Sequence, residues 1–579
     1  MSTRYEIYRS PDAPVSAEAW AWNMYGAGVE RIGRDGKPER VPVPEPNDDQ
    51  LLVRVDAVGM CFSDVKLIQQ GGKHPKLYNR DLAVEPTRLG HEAALTVLRV
   101  GRNLRDKYHP GQRLAMQPDI YRDGRSTAYG YTIPGGLIQF HLIGPEVLDA
   151  DDGAYVLPVA DGLGYAETAL TEPWACVEGA YTQRRRLEPR VGGTMWILGR
   201  PGDTTTYTFS ELLAAPATIV ITDIPDELWE RLARETGAKI VRRDGVTPDG
   251  YKALADELTD GEGFDDLVIL DPRSAEAVSA AAKVIARRGT CNLVGRTPLD
   301  GKPALDLGRL HYDYIAFVGN PGPEITASYG EARNRAELRA GGVAVFVGAG
   351  GPMGQMHVQR AIELPDGPRT IIATDVNDLR LAALEQLFQP LAEKHDRRLL
   401  TINPAQGVSL PELVAQETSG KGADDVVVSV PVAQIMAEAA ELMAPDGMLV
   451  LFAGVPNGTL APLNLSDVYL HNAQFTGTSG SRLSDQALVI RKTMEGQLSP
   501  NRSVAAIGGI EAAHDGIRAM MEGRYAGKVV IFPQISGLPL TGLSELKHSH
   551  PDVAAKLGPG DLWTPEAEQA LIEKFWRPS

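Results

Sequence analysis

The chain of 579 residues repeats itself, and that repeat limits its fold more than any other feature. Phe264-Asp265-Asp266-Leu-Val-Ile-Leu-Asp-Pro272 lines up with Ala423-Asp424-Asp425-Val-Val-Val-Ser-Val-Pro431, and Gly295 falls opposite Gly454. Upstream, Val220-Ile221-Thr222-Asp223 matches Ile372-Ala373-Thr374-Asp375. Downstream, Ala316-Phe317-Val-Gly319-Asn-Pro-Gly322 matches Gln474-Phe475-Thr-Gly477-Thr-Ser-Gly480. In each copy short apolar runs (195–198, 218–222, 267–270 and 291–294; then 343–347, 370–374, 426–430 and 448–452) alternate with helix-like stretches. Strands that are apolar along their whole length belong to a parallel sheet covered on both faces. The repeat therefore predicts an α/β chain with two tandem Rossmann-like, doubly wound domains, at 191–340 and 341–480.

The flanks read differently. Within residues 1–190, the stretch 50–160 carries short alternating strands broken by Gly and Pro, as in 51–58, 94–100 and 139–143, which predicts a small barrel-like β domain. Residues 481–535 contain Gly527-Lys528-Val529-Val530-Ile531, a strand expected to return to that domain and complete it. The last stretch, 536–579, is rich in Pro, Gly and Leu and reads as an arm that packs on a neighbour.

Composition excludes several classes of function. A formal charge of -17 without a Lys/Arg-rich block is a poor match for phosphate backbones, so no nucleic-acid partner is expected. Arg184-Arg185-Arg186 reads as a solvated helix end. No uncharged apolar run approaches the roughly 20 residues of a membrane span, and the start shows no basic region followed by an apolar stretch. The expectation is a cytoplasmic protein without a membrane partner. Three cysteines far apart, Cys61, Cys176 and Cys291, leave no disulfide framework, and any metal must recruit His or carboxylate ligands. Cys176 and Cys291 read as core residues.

Residues 345–354, Val-Phe-Val-Gly348-Ala-Gly350-Gly351-Pro352-Met353-Gly354, are an apolar strand running into a glycine-rich turn and then a helix. Such a turn brings backbone N–H groups and a helix N-terminus against a pyrophosphate. The next strand ends in Asp375, placed to accept both ribose hydroxyls of NAD; Arg380 nearby leaves room for NADP. The first copy has Gly199-Arg200-Pro201-Gly202 and an acid, Asp223, with fewer glycines and a proline where an N–H would serve. It reads as a structural or assembly copy.

Upstream lie Gly59-Met60-Cys61-Phe62-Ser63-Asp64, Gly90-His91-Glu92 and Glu172-Pro173. Thiolate, imidazole and carboxylate suit zinc, and three protein ligands leave a position open for a substrate oxygen. In this ordered set, ahead of a dinucleotide fold, the chain resembles the zinc-dependent medium-chain dehydrogenase/reductase superfamily of alcohol and sorbitol dehydrogenases, over about 45–535 and interrupted by the first repeat. Gln117-Pro118, Gly130-Tyr131, Gly135-Gly136, the 348–354 turn and 477–480 are similar in style to the L-sorbose 1-phosphate reductase branch.

The resemblance implies a GroES-like catalytic barrel, zinc held by Cys61, His91 and Glu172, and Glu92 as a supporting or exchanging ligand. It implies that Ser63 relays the alcohol proton, with Lys66 continuing the relay or pairing with an anionic substrate, and that Gly477 and Ser479 join the cofactor site. The implied reaction moves a hydride between NAD, or NADP, and a polyol, a ketose or its phosphate, while zinc polarises the substrate oxygen. The expected assembly is a homo-oligomer, a dimer or tetramer. Two other readings stand beside this one: a zinc- and NAD-dependent lyase or epimerase that recycles its NAD internally, and a non-catalytic nucleotide-sensing scaffold. The chain departs from the family in lacking the structural-zinc cysteines and in carrying the extra Rossmann-like unit.

Overall fold

The computed structural model describes residues 2–578, and within it the chain forms two compact units. One comprises the chain up to Gly179, Gly351–Met356 and the chain from Gly480 onward; the other comprises Ala180–Gly350 and His357–Ser479.

The first unit is built on an eight-stranded sheet. Its order is Val156–Pro158, Arg113–Met116, Glu92–Val100, Leu51–Gly59, Lys528–Phe532, Val504–Gly509 and Thr541–Gly542, with Phe140–Ile143 also paired to Leu51–Gly59. The strand Lys528–Phe532 runs antiparallel to Leu51–Gly59, with Ile531 opposite Val58. Two apolar clusters cover the sheet. One gathers Leu51, Val53, Leu95, Leu114 and Phe140; the other gathers Tyr8, Tyr165, Phe532, Trp563, Leu571 and Trp576.

The second cluster places the C-terminal residues. They fold back on their own unit, where Trp563 and Trp576 are each at most 5% exposed. Burying two indoles removes enough apolar surface to fix the arm in place. Glu573 also accepts the backbone N–H groups of Arg4 and Tyr5 at the start of the N-terminal helix.

The second unit holds two six-stranded sheets of one topology. In sequence order of their strands, both run third, second, first, fourth, fifth, sixth, and every pairing within them is parallel. That is the doubly wound order of dinucleotide-binding folds. The repeat extends to detail. Asp266 accepts the Arg190 backbone N–H at 2.8 Å and pairs with Arg186; Asp425 accepts the Arg339 N–H at 2.8 Å and pairs with Arg335. Both strands shift register at the same place, between Phe264 and Asp266 and between Ala423 and Asp425.

These contacts correct the reading of the arginine run. The helix before it ends at Gly179, and Arg184–Arg186 form no solvated helix end. Arg184 is buried, Arg186 holds Asp266, and Arg185 donates to the carbonyls of Leu310 and Gly477. Among the described residues no helix is long and apolar enough to cross a membrane.

Candidate functional site

Cys61 closes the strand Leu51–Gly59 and opens the helix Phe62–Gln70. Its backbone N–H donates to the Asp64 carboxylate at 3.2 Å, and Asp64 Oδ1 lies 3.2 Å from His91 Nδ1. Asp64 is buried, so one carboxylate fixes both the turn that carries the thiol and the plane of the imidazole. With Nδ1 directed at Asp64, His91 Nε2 faces Ser63 Oγ at 3.4 Å, and Ser63 Oγ lies 3.1 Å from Cys61 Sγ.

Glu92 follows on the next strand, and ligand atoms of Cys61, His91 and Glu92 all lie within 4.8 Å of one another. One Glu92 oxygen is held by Lys528. The other is buried without a hydrogen-bond partner among the described residues and faces Gly59, where a Cβ would sit 2.0 Å away. Glu172, in the helix Tyr165–Gly179, stands outside this tight group; its nearest bonded neighbour is the Cys176 thiol, 3.8 Å away and one turn on in the same helix. Burial pushes the Glu172 carboxyl up to about 7, with His91 opposing and Glu92 adding to the rise. Burial likewise raises Cys176, while Lys528, against its own burial, is held charged by Glu92.

A thiol, an imidazole and two buried carboxylates, one with an unpartnered oxygen and one disfavoured as an anion, leave a pocket short of positive charge. That donor set fits a zinc ion. Lys66 is exposed on the helix that also carries Ser63. The sequence alone assigns no role to Asp64 or Lys528. Asp64 stands three residues after Cys61, the spacing of a capping box; nothing local marks Lys528, which meets Glu92 only through strand pairing.

Val343–Val347 leads into the glycine turn, and Pro352 begins the helix Pro352–Glu363, so Met353 and Gly354 lie in its first turn. Gly348 takes φ +77°, and Gly350 packs so closely on Asp375 that a Cβ would lie 2.8 Å from its carboxylate. Asp375 accepts the N–H groups of Gly350 and Asn377, both at 3.0 Å. Gly477 ends the last strand of the sheet, and Ser479 follows it.

The first copy has lost these parts. After Thr194–Leu198 no α-helix follows before the next strand; the chain loops to a single 3-10 turn, Glu211–Ala214. Arg200 is tied to Asp271, and Asp223 accepts from the Gly245 backbone. No helix N-terminus is presented there.

Residues 47–179 match the family model described as alcohol dehydrogenase GroES-like domain, and residues 352–493 match zinc-binding dehydrogenase. The chain is similar to mannitol-1-phosphate 5-dehydrogenase of Aliivibrio fischeri, 23% identical over 543 residues covering 92% of this chain and 94% of that one. It is also similar to L-sorbose 1-phosphate reductase of Klebsiella pneumoniae, 28% identical over 307 residues covering 50% of this chain and 73% of that one. Among solved structures, 2R,3R-butanediol dehydrogenase from Bacillus subtilis shares the fold with a TM-score of 0.51 at 15% identity, covering 89% of this chain and 99% of that one.

Proposed function

The chain belongs to the zinc-dependent medium-chain dehydrogenases, enzymes of the alcohol and polyol dehydrogenase type, and from that premise we propose that it oxidises a polyol, or reduces the matching ketose, with NAD as hydride carrier. The observation that carries this reading is the grouping of Cys61, His91 and Glu92 within 4.8 Å, with the Ser63 hydroxyl bridging the first two.

Cys61 and His91 would hold zinc together with a carboxylate, Glu172 by family resemblance or Glu92 by proximity. Bound there, zinc polarises the substrate oxygen and lowers the pKa of an alcohol. Asp64 keeps the His91 ring in one orientation and one tautomer. Ser63, half-buried between Cys61 and His91, is placed to take the hydroxyl proton as hydride leaves and to return it in the reverse direction. Lys528 donates to one Glu92 oxygen and leaves the other without a hydrogen-bond partner among the described residues.

Asp375 supports NAD over NADP, because a 2′-phosphate would meet its carboxylate. A phosphorylated substrate is the narrower reading, supported by the names of the two sugar-phosphate relatives. The buried donor set has no use in a scaffold.

The test is NAD(H)- and NADP(H)-coupled turnover on polyols, ketoses and their phosphates, for the wild type and Cys61→Ala. We expect NAD-linked turnover of one substrate class, lost in Cys61→Ala by at least about 10³-fold. Turnover unchanged in the variant overturns the zinc-site reading, and tightly retained NAD without net turnover would point to internal redox recycling.

A further inference from the structure

The two Rossmann-like units meet across a two-fold pseudo-symmetric interface. Continuing the repeat back from Ala316 and Gln474, Ala304-Leu305-Asp306-Leu307 lies opposite Pro462-Leu463-Asn464-Leu465. Short strands at these places pair antiparallel, and Ala304 pairs with Pro462, its own counterpart. Other contacts come in reciprocal pairs. Gly319 packs on Tyr469, and Gly477, its counterpart, packs on His311, the counterpart of Tyr469. Ser466 Oγ accepts from the Leu299 N–H at 3.0 Å, and Gly308, the counterpart of Ser466, approaches the Asn457 backbone so closely that a Cβ would sit 2.6 Å away. One apolar cluster runs through both units, joining Leu293, Leu305 and Phe317 to Leu449, Leu463 and Phe475. A patch that contacts its own counterpart is the geometry of a two-fold homodimer, here built within one chain.

Tyr314 is one place where the symmetry breaks. Tyr314 and Asn472 are counterparts and both take left-handed backbone, with φ 53° and 63°. Asn adopts that conformation readily, whereas a bulky aromatic does so at a cost. The Tyr314 side chain meets the other unit's cofactor turn: its hydroxyl accepts the Ser479 N–H at 3.2 Å and donates to the Ser479 carbonyl. The reverse contact is not made: Asn472 donates to Asp446 instead, and Pro321, the counterpart of Ser479, has no N–H. Arg185 strengthens the same junction by donating to the carbonyls of Leu310 and Gly477, at 3.1 and 2.7 Å, and His311 Nδ1 lies 3.1 Å from the Leu451 carbonyl.

We propose that the first Rossmann-like unit is a built-in partner of the second, and that its Tyr314 is a positioning residue for the nicotinamide end of the second unit's cofactor site. In a doubly wound sheet the dinucleotide crosses the switch point between the first and fourth strands. Here those strands are Val343–Val347 and Ala423–Val428, so the adenosine half lies on the side of Asp375 and the nicotinamide half on the side of Gly477–Ser479. The unit without a nucleotide site thus spends a strained tyrosine on holding the turn of the unit that has one. This rests on reading Gly477 and Ser479 as cofactor-binding.

The experiment measures equilibrium binding of NADH and of ADP-ribose to the full-length wild type, Tyr314→Phe and Tyr314→Ala, with thermal melting to show that each is folded. Tyr314→Phe removes one hydroxyl, and its NADH dissociation constant is expected to rise about tenfold, as loss of a positioned hydrogen bond allows, with ADP-ribose unchanged. Unchanged NADH affinity in folded Tyr314→Phe overturns the proposal and leaves the cofactor site standing. A parallel loss of both ligands also overturns it, because that is a general structural effect. Failure of the wild type to bind NADH overturns the cofactor site itself and the proposal with it.

Discussion

At Glu167, in the first turn of the helix that carries Glu172, burial pushes a carboxyl up to about 7, with Glu568 nearby adding to the rise. Below about pH 4.5 this carboxyl is protonated in both the folded and the unfolded chain and makes no difference between them. Between 4.5 and about 7 the folded chain keeps a proton that the unfolded chain has released, so stability falls as pH rises, by up to about 3 kcal/mol. Glu167→Gln is expected to match the wild type near pH 4.5 and to exceed it in stability above pH 7, measured by denaturant unfolding across that range. Equal stabilities at pH 8 would contradict the account. The residues of this neighbourhood differ in how openly the sequence declared them. Cys61, His91 and Ser63 lie in recognisable local turns, whereas Lys528 and Glu568 act on residues hundreds of positions away, and a local pattern carries no trace of such a meeting.

Among the elements, the helix Tyr165–Gly179 has its N-terminus closed from the far end of the chain. Glu568, buried in the helix Pro565–Phe575, accepts the backbone N–H groups of Tyr165 and Ala166 at 2.5 and 2.8 Å. A side-chain acceptor at a helix start normally comes from the residue just before it; here the C-terminal arm supplies it. Glu568→Ala is expected to cost about 1–2 kcal/mol by leaving two buried donors unpaired, and Glu568→Gln, which keeps an acceptor, less than half of that. Equal losses in the two variants would show that the hydrogen bonds are not the cause. The arm itself was visible as a stretch of Pro, Gly and Leu, but its destination was not, because Trp563 and Trp576 are buried by packing that no periodicity encodes. The strands of the two Rossmann-like units were legible, since unbroken Val, Ile and Leu runs have few other uses. The arginines before them were misread, because Arg186 is understood only once Asp266 is seen beside it.

For the whole molecule, duplication has given two units with one topology and unequal chemistry. The second keeps the glycine turn, the helix start and Asp375, while the first has a loop in place of the helix. Equilibrium dialysis should accordingly find one NADH bound per chain, and two would restore the first unit as a nucleotide site. The repeat was legible because both copies must satisfy the same sheet; their mutual pairing was not, since an interface leaves no period in sequence. The central claim remains the metal centre, and zinc content per purified chain tests it most directly. The account predicts one zinc in the wild type and close to none in Cys61→Ala or His91→Ala; a wild type without zinc, or variants that keep it, would contradict the account.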